Sequence, residues 1–343
     1  MKALVLEAYR QFAVREEPRP SLQPDEVLVR VRACGICGSD VHGMTGSTGR
    51  RIPPIVMGHE AAGELVEIGS GVEGWATGER VTFDSTVYCG QCWFCTRGEV
   101  NLCEDRRVLG VSCKEYRRNG AFAEYVAVPA RILYRLPASI SFQEAAMVEA
   151  VSVAVHALKR TPLGKSDTAV VLGTGMIGLL VVQALKAAGC QHVIAIDREA
   201  ERLKLAARLG ATRIINTAAE DAVTIVQAAT GGRGADAVFE VVGLGATVQL
   251  AVNLARKGGS VTLVGNLEPT VPLPLQAVVT RQITLIGTCA SAGEYPECLE
   301  LIASGKIDVT AFISAVSSLD EAAGWFERLD RGEKGLMKVL VQP

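Results

Sequence analysis

Cys89, Cys92, Cys95 and Cys103 are spaced C-x2-C-x2-C-x7-C. That spacing lets one short lobe put sulfur on every vertex of a tetrahedral zinc ion. Such a site is closed to reacting molecules, so it holds a loop together and performs no reaction itself. Disulfides are the rival use, but cysteines separated by only two residues are badly placed to pair with one another. The sequence also opens without a secretory pattern, because Glu7 interrupts the first apolar run. Upstream lie two segments of different chemistry, Cys34-Gly35-Ile36-Cys37-Gly38-Ser39-Asp40-Val41-His42 and Gly58-His59-Glu60. A thiolate, an imidazole and a carboxylate drawn from them could ligate a second zinc and leave one position for water or substrate.

A further chemical signature is Val170-Val171-Leu172-Gly173-Thr174-Gly175-Met176-Ile177-Gly178, a G-x-G-x-x-G run between a predicted strand and a predicted helix. The first glycine makes a tight turn, the second admits a pyrophosphate to the backbone, and the third lets helix and strand pack closely. Met176 and Ile177 begin the helix whose N-terminus faces that pyrophosphate. Asp197 follows Gly178 by 19 residues, where a carboxylate accepts hydrogen bonds from ribose hydroxyls. A carboxylate there repels a 2′-phosphate, so NAD is expected over NADP. Arg198 and Arg202 stand beside it and could either accommodate that phosphate or form a solvated helix face. Val242, Val264 and Gly265, at the ends of later predicted strands, complete the expected cofactor contacts.

These groups need elements to position them. At 343 residues the chain has room for about two domains with full cores. Residues 1 to about 150 read as short strands between Gly and Pro punctuation: Glu26–Ala33, Ala61–Ile68, Arg80–Phe83 and Phe122–Val128. That pattern predicts an antiparallel, barrel-like β domain. From Thr168 onward strands alternate with helices of ordinary length, which predicts a doubly wound parallel sheet. The strands are expected at Thr168–Leu172, His192–Asp197, Ile214–Asn216, Ala235–Val242, Ser260–Val264 and Gln282–Gly287. The helices between them are expected at Met176–Ala188, Glu199–Leu209, Glu220–Thr230 and Thr247–Arg256. A helix near Tyr295–Ser304 and a strand Met337–Val341 are expected to return to the first domain. Net charge is −2 with both signs mixed, which gives no basic field for nucleic acid or anionic lipid. The longest uncharged stretch, Ala169–Leu185, carries the three glycines and reads poorly as a membrane span. Ten cysteines without a leader suggest a reducing, cytoplasmic setting.

With these motifs in hand the chain resembles the zinc-dependent medium-chain alcohol and polyol dehydrogenases over essentially its whole length. Gly58-His59-Glu60-x2-Gly63-x5-Gly69-x2-Val72 matches that family's zinc signature, and the cysteine lobe and the G-x-G-x-x-G follow in the family's order. The resemblance implies an α/β protein with a GroES-like β-barrel catalytic domain over 1–152, a Rossmann domain over 153–288, and a segment 289–343 returning to the first domain. It implies two zinc ions per chain, one structural and one catalytic. Cys37 and His59 become ligands of the catalytic zinc, and Glu60 a third ligand or a nearby carboxylate that exchanges with water. Glu149 matches the glutamate that the sorbitol and threonine dehydrogenase branch places at the zinc, often through water; simple alcohol dehydrogenases have cysteine there. Ser39 matches the hydroxyl that takes the substrate proton, and His42 the imidazole that relays it to solvent. The implied reaction is reversible oxidation of a secondary hydroxyl of a polyol to a ketone, with NAD as acceptor, in a homotetramer or homodimer joined near Gln282–Gly287.

Substrate choice departs from the sorbitol enzymes of animals. Where that branch carries an arginine–tyrosine pair after the last Rossmann strand this chain has Ala290 and Ser291, and Gly43 replaces an aromatic after the relay histidine. Arg50 and Arg51, behind the glycine-rich loop of residues 45–49, could meet a phosphate or carboxylate or simply be solvated. Alternative readings are a threonine dehydrogenase-like oxidation of a 3-hydroxy amino acid, a sugar-phosphate dehydrogenase, or a non-catalytic zinc and nucleotide binder. Cys34, Cys113, Cys190, Cys289, Cys298, His156 and His192 read as ordinary core or surface residues.

Overall fold

Strand Glu26–Gly35 is buried along almost its whole length, on both faces of its pleat. A strand can be that apolar only when covered on both sides, and here it has three antiparallel partners: Glu60–Ile68, Tyr125–Pro129 and Lys338–Gln342. The computed structural model describes Met1–Pro343. Glu26–Gly35 is the spine of a first unit made of Met1–Glu149, Tyr295–Ala303 and Val309–Pro343. Its largest sheet has seven strands, running from Leu133–Arg135 through Arg80–Phe83 and Glu60–Ile68 to the spine. It continues through Lys338–Gln342 to Ile313–Ser318. A smaller sheet joins Gln11–Glu16, Lys2–Ala8 and Ile55–Val56. Leu4, Phe83, Phe122 and Phe326, all fully buried, anchor the shared core; each such side chain contributes about 1.5–3 kcal/mol.

The strand predicted at Phe122–Val128 begins instead at Tyr125. The amides of Ala121 and Phe122 are taken by the carbonyls of Gly58 (2.9 Å) and Met57 (3.0 Å), so this segment buttresses the turn before His59 rather than joining the ladder. Helix Leu319–Asp330, for which the sequence reading offered no element, buries Leu319, Ala322 and Phe326.

The second unit comprises Ala150–Glu294 and Ser304–Asp308. Six strands, all parallel, lie in the order Arg213–Asn216, His192–Asp197, Thr168–Leu172, Ala235–Glu240, Ala255–Leu263, Thr284–Gly287. In chain order that is 3-2-1-4-5-6, the doubly wound Rossmann arrangement, which puts its ligand crevice beyond the strand ends where the order reverses. Helix Met176–Ala187 follows the glycine turn. A Cβ on Gly178 would lie 1.9 Å from the carbonyl oxygen of Gly173, so only glycine lets that helix close onto its strand. The helix predicted to run to Arg256 stops at Leu254, and the next strand starts at Ala255. Ala255 lies opposite Ala235 across an irregularity in register, which lengthens the strand backwards. No helix is long and apolar enough to cross a membrane.

Candidate metal centres and cofactor site

Strands Glu26–Gly35 and Glu60–Ile68 pair with Gly35 opposite Glu60, which brings the segment after the first strand against the start of the second. Cys37 then caps the short helix Gly38–Met44, which the sequence reading left without an element. Its amide donates to Asp40 Oδ2 (3.3 Å), and the Asp40 amide donates back to the Cys37 carbonyl (3.0 Å). One donor atom each from Cys37, His59 and Glu60 lies within 4.8 Å of the others. His59 Nε2 is 3.4 Å from Ser39 Oγ, so the hydroxyl stands beside the donor cluster. His59 Nδ1 lies 3.4 Å from Asp40 Oδ1, within charge attraction but without a well-aligned hydrogen bond. His42, in the last turn of the same helix, is exposed.

Charge around this cluster is dense and mostly buried. Lys338 Nζ, 1% exposed, donates to Glu60 Oε2 at 2.5 Å and to the Ile36 carbonyl at 3.1 Å. Burial opposes the ammonium, but the Glu60 carboxylate and the Cys37 thiol raise the Lys338 pKa in net. Asp40 is fully buried; burial works against its charge, yet His59 and Arg51 hold it well below the usual carboxylate range. Glu149 opens helix Val148–Arg160 and accepts a hydrogen bond from Ser85 Oγ (3.4 Å). Burial first, and the Glu60 carboxylate second, push Glu149 up to about 7. It stands beside the three-donor cluster rather than within it.

The lobe is built from turns. Two short 3₁₀ segments, Cys95–Arg97 and Val100–Leu102, fold the chain so that one sulfur each from Cys89, Cys92, Cys95 and Cys103 lies within 4.8 Å of the others. Cys89 and Cys95 Sγ are 4.0 Å apart; tetrahedral zinc–thiolate bonds of about 2.3 Å place sulfurs about 3.8 Å apart. The Cys89 amide donates to Cys103 Sγ (3.2 Å) and the Cys92 amide to Cys89 Sγ (3.4 Å), as suits thiolates. Backbone donors at Cys95 and Glu104 bring the Cys92 thiol down to about 6. None of the ten cysteines forms a disulfide. Both donor sets suit zinc: four sulfurs in one lobe, and one sulfur, one nitrogen and one oxygen at the other centre.

In the second unit Asp197 ends its strand with both carboxylate oxygens engaged. Oδ2 accepts from the Thr174 amide (2.6 Å) and hydroxyl (2.9 Å), and Oδ1 from the amides of Arg198 (2.7 Å) and Glu199 (3.0 Å). The carboxylate therefore ties the glycine turn to the start of the next helix. Arg198 and Arg202 are exposed, Arg198 lying 3.9 Å from Glu199. Glu240, fully buried, accepts from the amides of Val242 (3.0 Å) and Gly243 (2.9 Å) through its side chain. Its carbonyl takes the amides of Val264 (2.8 Å) and Gly265 (3.0 Å). One residue thus joins the two turns that carry the expected contacts Val242, Val264 and Gly265.

Three supporting residues carry no role in the sequence pattern, Asp40, Lys338 and Glu240, and Arg51, expected to meet an anion or be solvated, is instead buried against Asp40. Asp40 had a signal, an acid three residues after Cys37 where it caps the helix. Lys338 had none, because it lies 278 residues from Glu60.

Comparison with known proteins gives the family. Residues 23–138 match the alcohol dehydrogenase GroES-like domain and residues 177–304 the zinc-binding dehydrogenase domain. The chain belongs to the zinc-type medium-chain alcohol dehydrogenase family. It is 35% identical to sorbitol dehydrogenase of Bacillus subtilis (strain 168), over 100% of this chain and 97% of that protein. It is 33% identical to D-arabitol-phosphate dehydrogenase of Enterococcus avium, over 97% and 94%. The solved structure of alcohol dehydrogenase TADH from Thermus sp. ATN1 superposes with a TM-score of 0.93 at 35% identity, covering 100% of this chain and 99% of that one.

Proposed function

We propose that this chain is a polyol dehydrogenase, oxidising a secondary hydroxyl of a sugar alcohol to a ketone, reversibly, with NAD as hydride acceptor. The observation that carries the reading is the mixed donor set of Cys37, His59 and Glu60 within 4.8 Å, with Ser39 Oγ 3.4 Å from His59 Nε2. In this reading Cys37, His59 and Glu60 hold the catalytic zinc with Glu149 beside it, and Cys89, Cys92, Cys95 and Cys103 hold the structural one. When bound, zinc supplies Lewis acidity to a substrate hydroxyl and the nicotinamide accepts the hydride. The chain's own residues do the rest. Ser39 takes the hydroxyl proton and His42, exposed on the same helix, passes it to solvent. Gly173, Gly175, Met176, Ile177 and Gly178 seat the pyrophosphate at the helix N-terminus, and Asp197 excludes a 2′-phosphate by its charge.

Glu149 favours a polyol over a simple alcohol, since a partly buried carboxylate beside the donor cluster can accept a hydrogen bond from a second hydroxyl. The same reading carries an oligomer joined along the outer edge of Thr284–Gly287, beside which Leu275 and Val279 stand 62% and 64% exposed. The test is initial NAD reduction by zinc-loaded protein across a stereochemically complete polyol panel, with sugar phosphates, threonine and simple secondary alcohols included. Preference for one polyol configuration is expected. Turnover of threonine or a phosphate ester alone would overturn the substrate class.

A further inference from the structure

Arg51 is 4% exposed although it follows an exposed glycine-rich loop. Room for it comes from Gly43: a Cβ at that position would lie 2.2 Å from Arg51 Cγ. The arginine stem therefore fills the volume that a side chain at 43 would take. Four of the five guanidinium N–H donors are taken within the protein. Nε and Nη2 reach Asp40 Oδ1 at 3.3 and 3.1 Å, Nη1 donates to the Arg50 carbonyl at 3.1 Å, and Nη2 also lies 3.5 Å from Ser39 Oγ. Asp40 meanwhile caps Cys37 through its other oxygen and faces His59. Arg50, by contrast, is exposed and turns to the Tyr116 hydroxyl (3.3 Å).

We infer that Arg51 is a positioning residue for the Cys37–His59 centre, matched to Gly43. Its fork fixes Asp40, which orients His59 and the Cys37 turn, while its outer nitrogen steadies the Ser39 hydroxyl. A carboxylate that orients a metal-binding imidazole influences the metal strongly, and here that carboxylate is itself held by a two-pronged cation. Lysine offers a point charge without the fork, so it can hold Asp40 but not Asp40 and Ser39 together. The inference rests on the zinc reading proposed above.

The experiment uses cobalt-substituted protein, whose visible spectrum reports ligand geometry without any substrate. The signal of the reactive centre is the part of the spectrum abolished by Cys37→Ser. In Arg51→Met that part should shift while the lobe's remains. With the polyol preferred by the wild-type protein, kcat should fall about 10- to 100-fold with KM changed less than about threefold. Arg51→Lys should restore the spectrum but leave kcat about tenfold low. Gly43→Ala, which only displaces the stem, should move spectrum and kcat in the direction of Arg51→Met. Should Arg51→Met not fold, Arg51→Lys and Gly43→Ala carry the same test. A wild-type spectrum and kcat in Arg51→Met, full kcat in Arg51→Lys, or no change in Gly43→Ala would overturn the inference. A cobalt spectrum that Cys37→Ser leaves untouched would instead overturn the zinc reading beneath it.

Discussion

All four donors of the cysteine lobe fall within residues 89–103, on turns, and carry one kind of atom. The Cys37–His59–Glu60 centre takes three kinds of atom from the end of one strand and the start of another. It is also braced by a buried lysine from the last strand and a buried arginine from a loop. The lobe can fold around its ion almost alone, because each sulfur answers to its neighbours and to backbone amides. The donors of the other centre stand among further buried charges. Lys338 pairs with Glu60, and Arg51 pairs with Asp40, which faces His59. The cysteine lobe is a local matter; the mixed centre draws on distant parts of the unit.

The sharpest way to test this contrast is to remove one thiol from each. Cys37→Ser should lose one zinc per chain by metal analysis and all measurable turnover, yet still bind the nicotinamide cofactor by fluorescence titration. Retained turnover would break the assignment of the open centre. Cys95→Ser should lose the other zinc and lower Tm by many degrees, since structural zinc contributes its binding energy to folding. The protein still folded should keep kcat within about tenfold, because a closed site supplies no chemistry. A complete loss of kcat with Tm unchanged would erase the distinction between the two sites.

A smaller effect sharpens the comparison on stability. Glu149 has a folded pKa of about 7, above the ordinary carboxyl value of 4.5. A carboxyl group raised in this way binds its proton more tightly in the folded state. The metal-free protein should therefore lose stability as pH rises from about 4.5 to about 7, and stay lower above that. Glu149→Gln should remove this slope and stabilise the metal-free protein at pH 8 by roughly 1–3 kcal/mol, with little change near pH 4. Denaturant titration of both proteins at the two pH values measures it. An unchanged slope would show that Glu149 does not strain the open centre.

Much of this architecture is legible in the amino-acid order because it depends on local pattern. Strand Thr168–Leu172, the glycine turn and Asp197 are neighbours in sequence, and period and spacing alone place them. The four cysteines are legible for the same reason. Cys37, His59 and Glu60 needed a family's signature, since nothing local says that Gly35 pairs with Glu60. The braces were illegible for a physical reason. An arginine after a glycine-rich loop looks solvated until Gly43 is seen to open a slot for it, and a lysine in a terminal strand looks like an edge residue until Glu60 faces it. The helix Gly38–Met44 was hidden by its glycines and its brevity, its start being fixed by the Cys37–Asp40 cap instead.

The four hydrogen bonds on Asp197 bear on how this protein could be re-engineered. Changing cofactor choice usually starts with the acid at the end of the second strand. Here, trading Asp197 for a neutral residue would also release the Thr174 amide and the amides of Arg198 and Glu199, which lead into helix Ala200–Leu209. The designer would loosen the pyrophosphate turn while trying only to retune the ribose. Arg198 and Arg202, whose side chains are exposed, are the editable positions. A library that holds Asp197 fixed and varies those two should yield more folded variants than one centred on the aspartate.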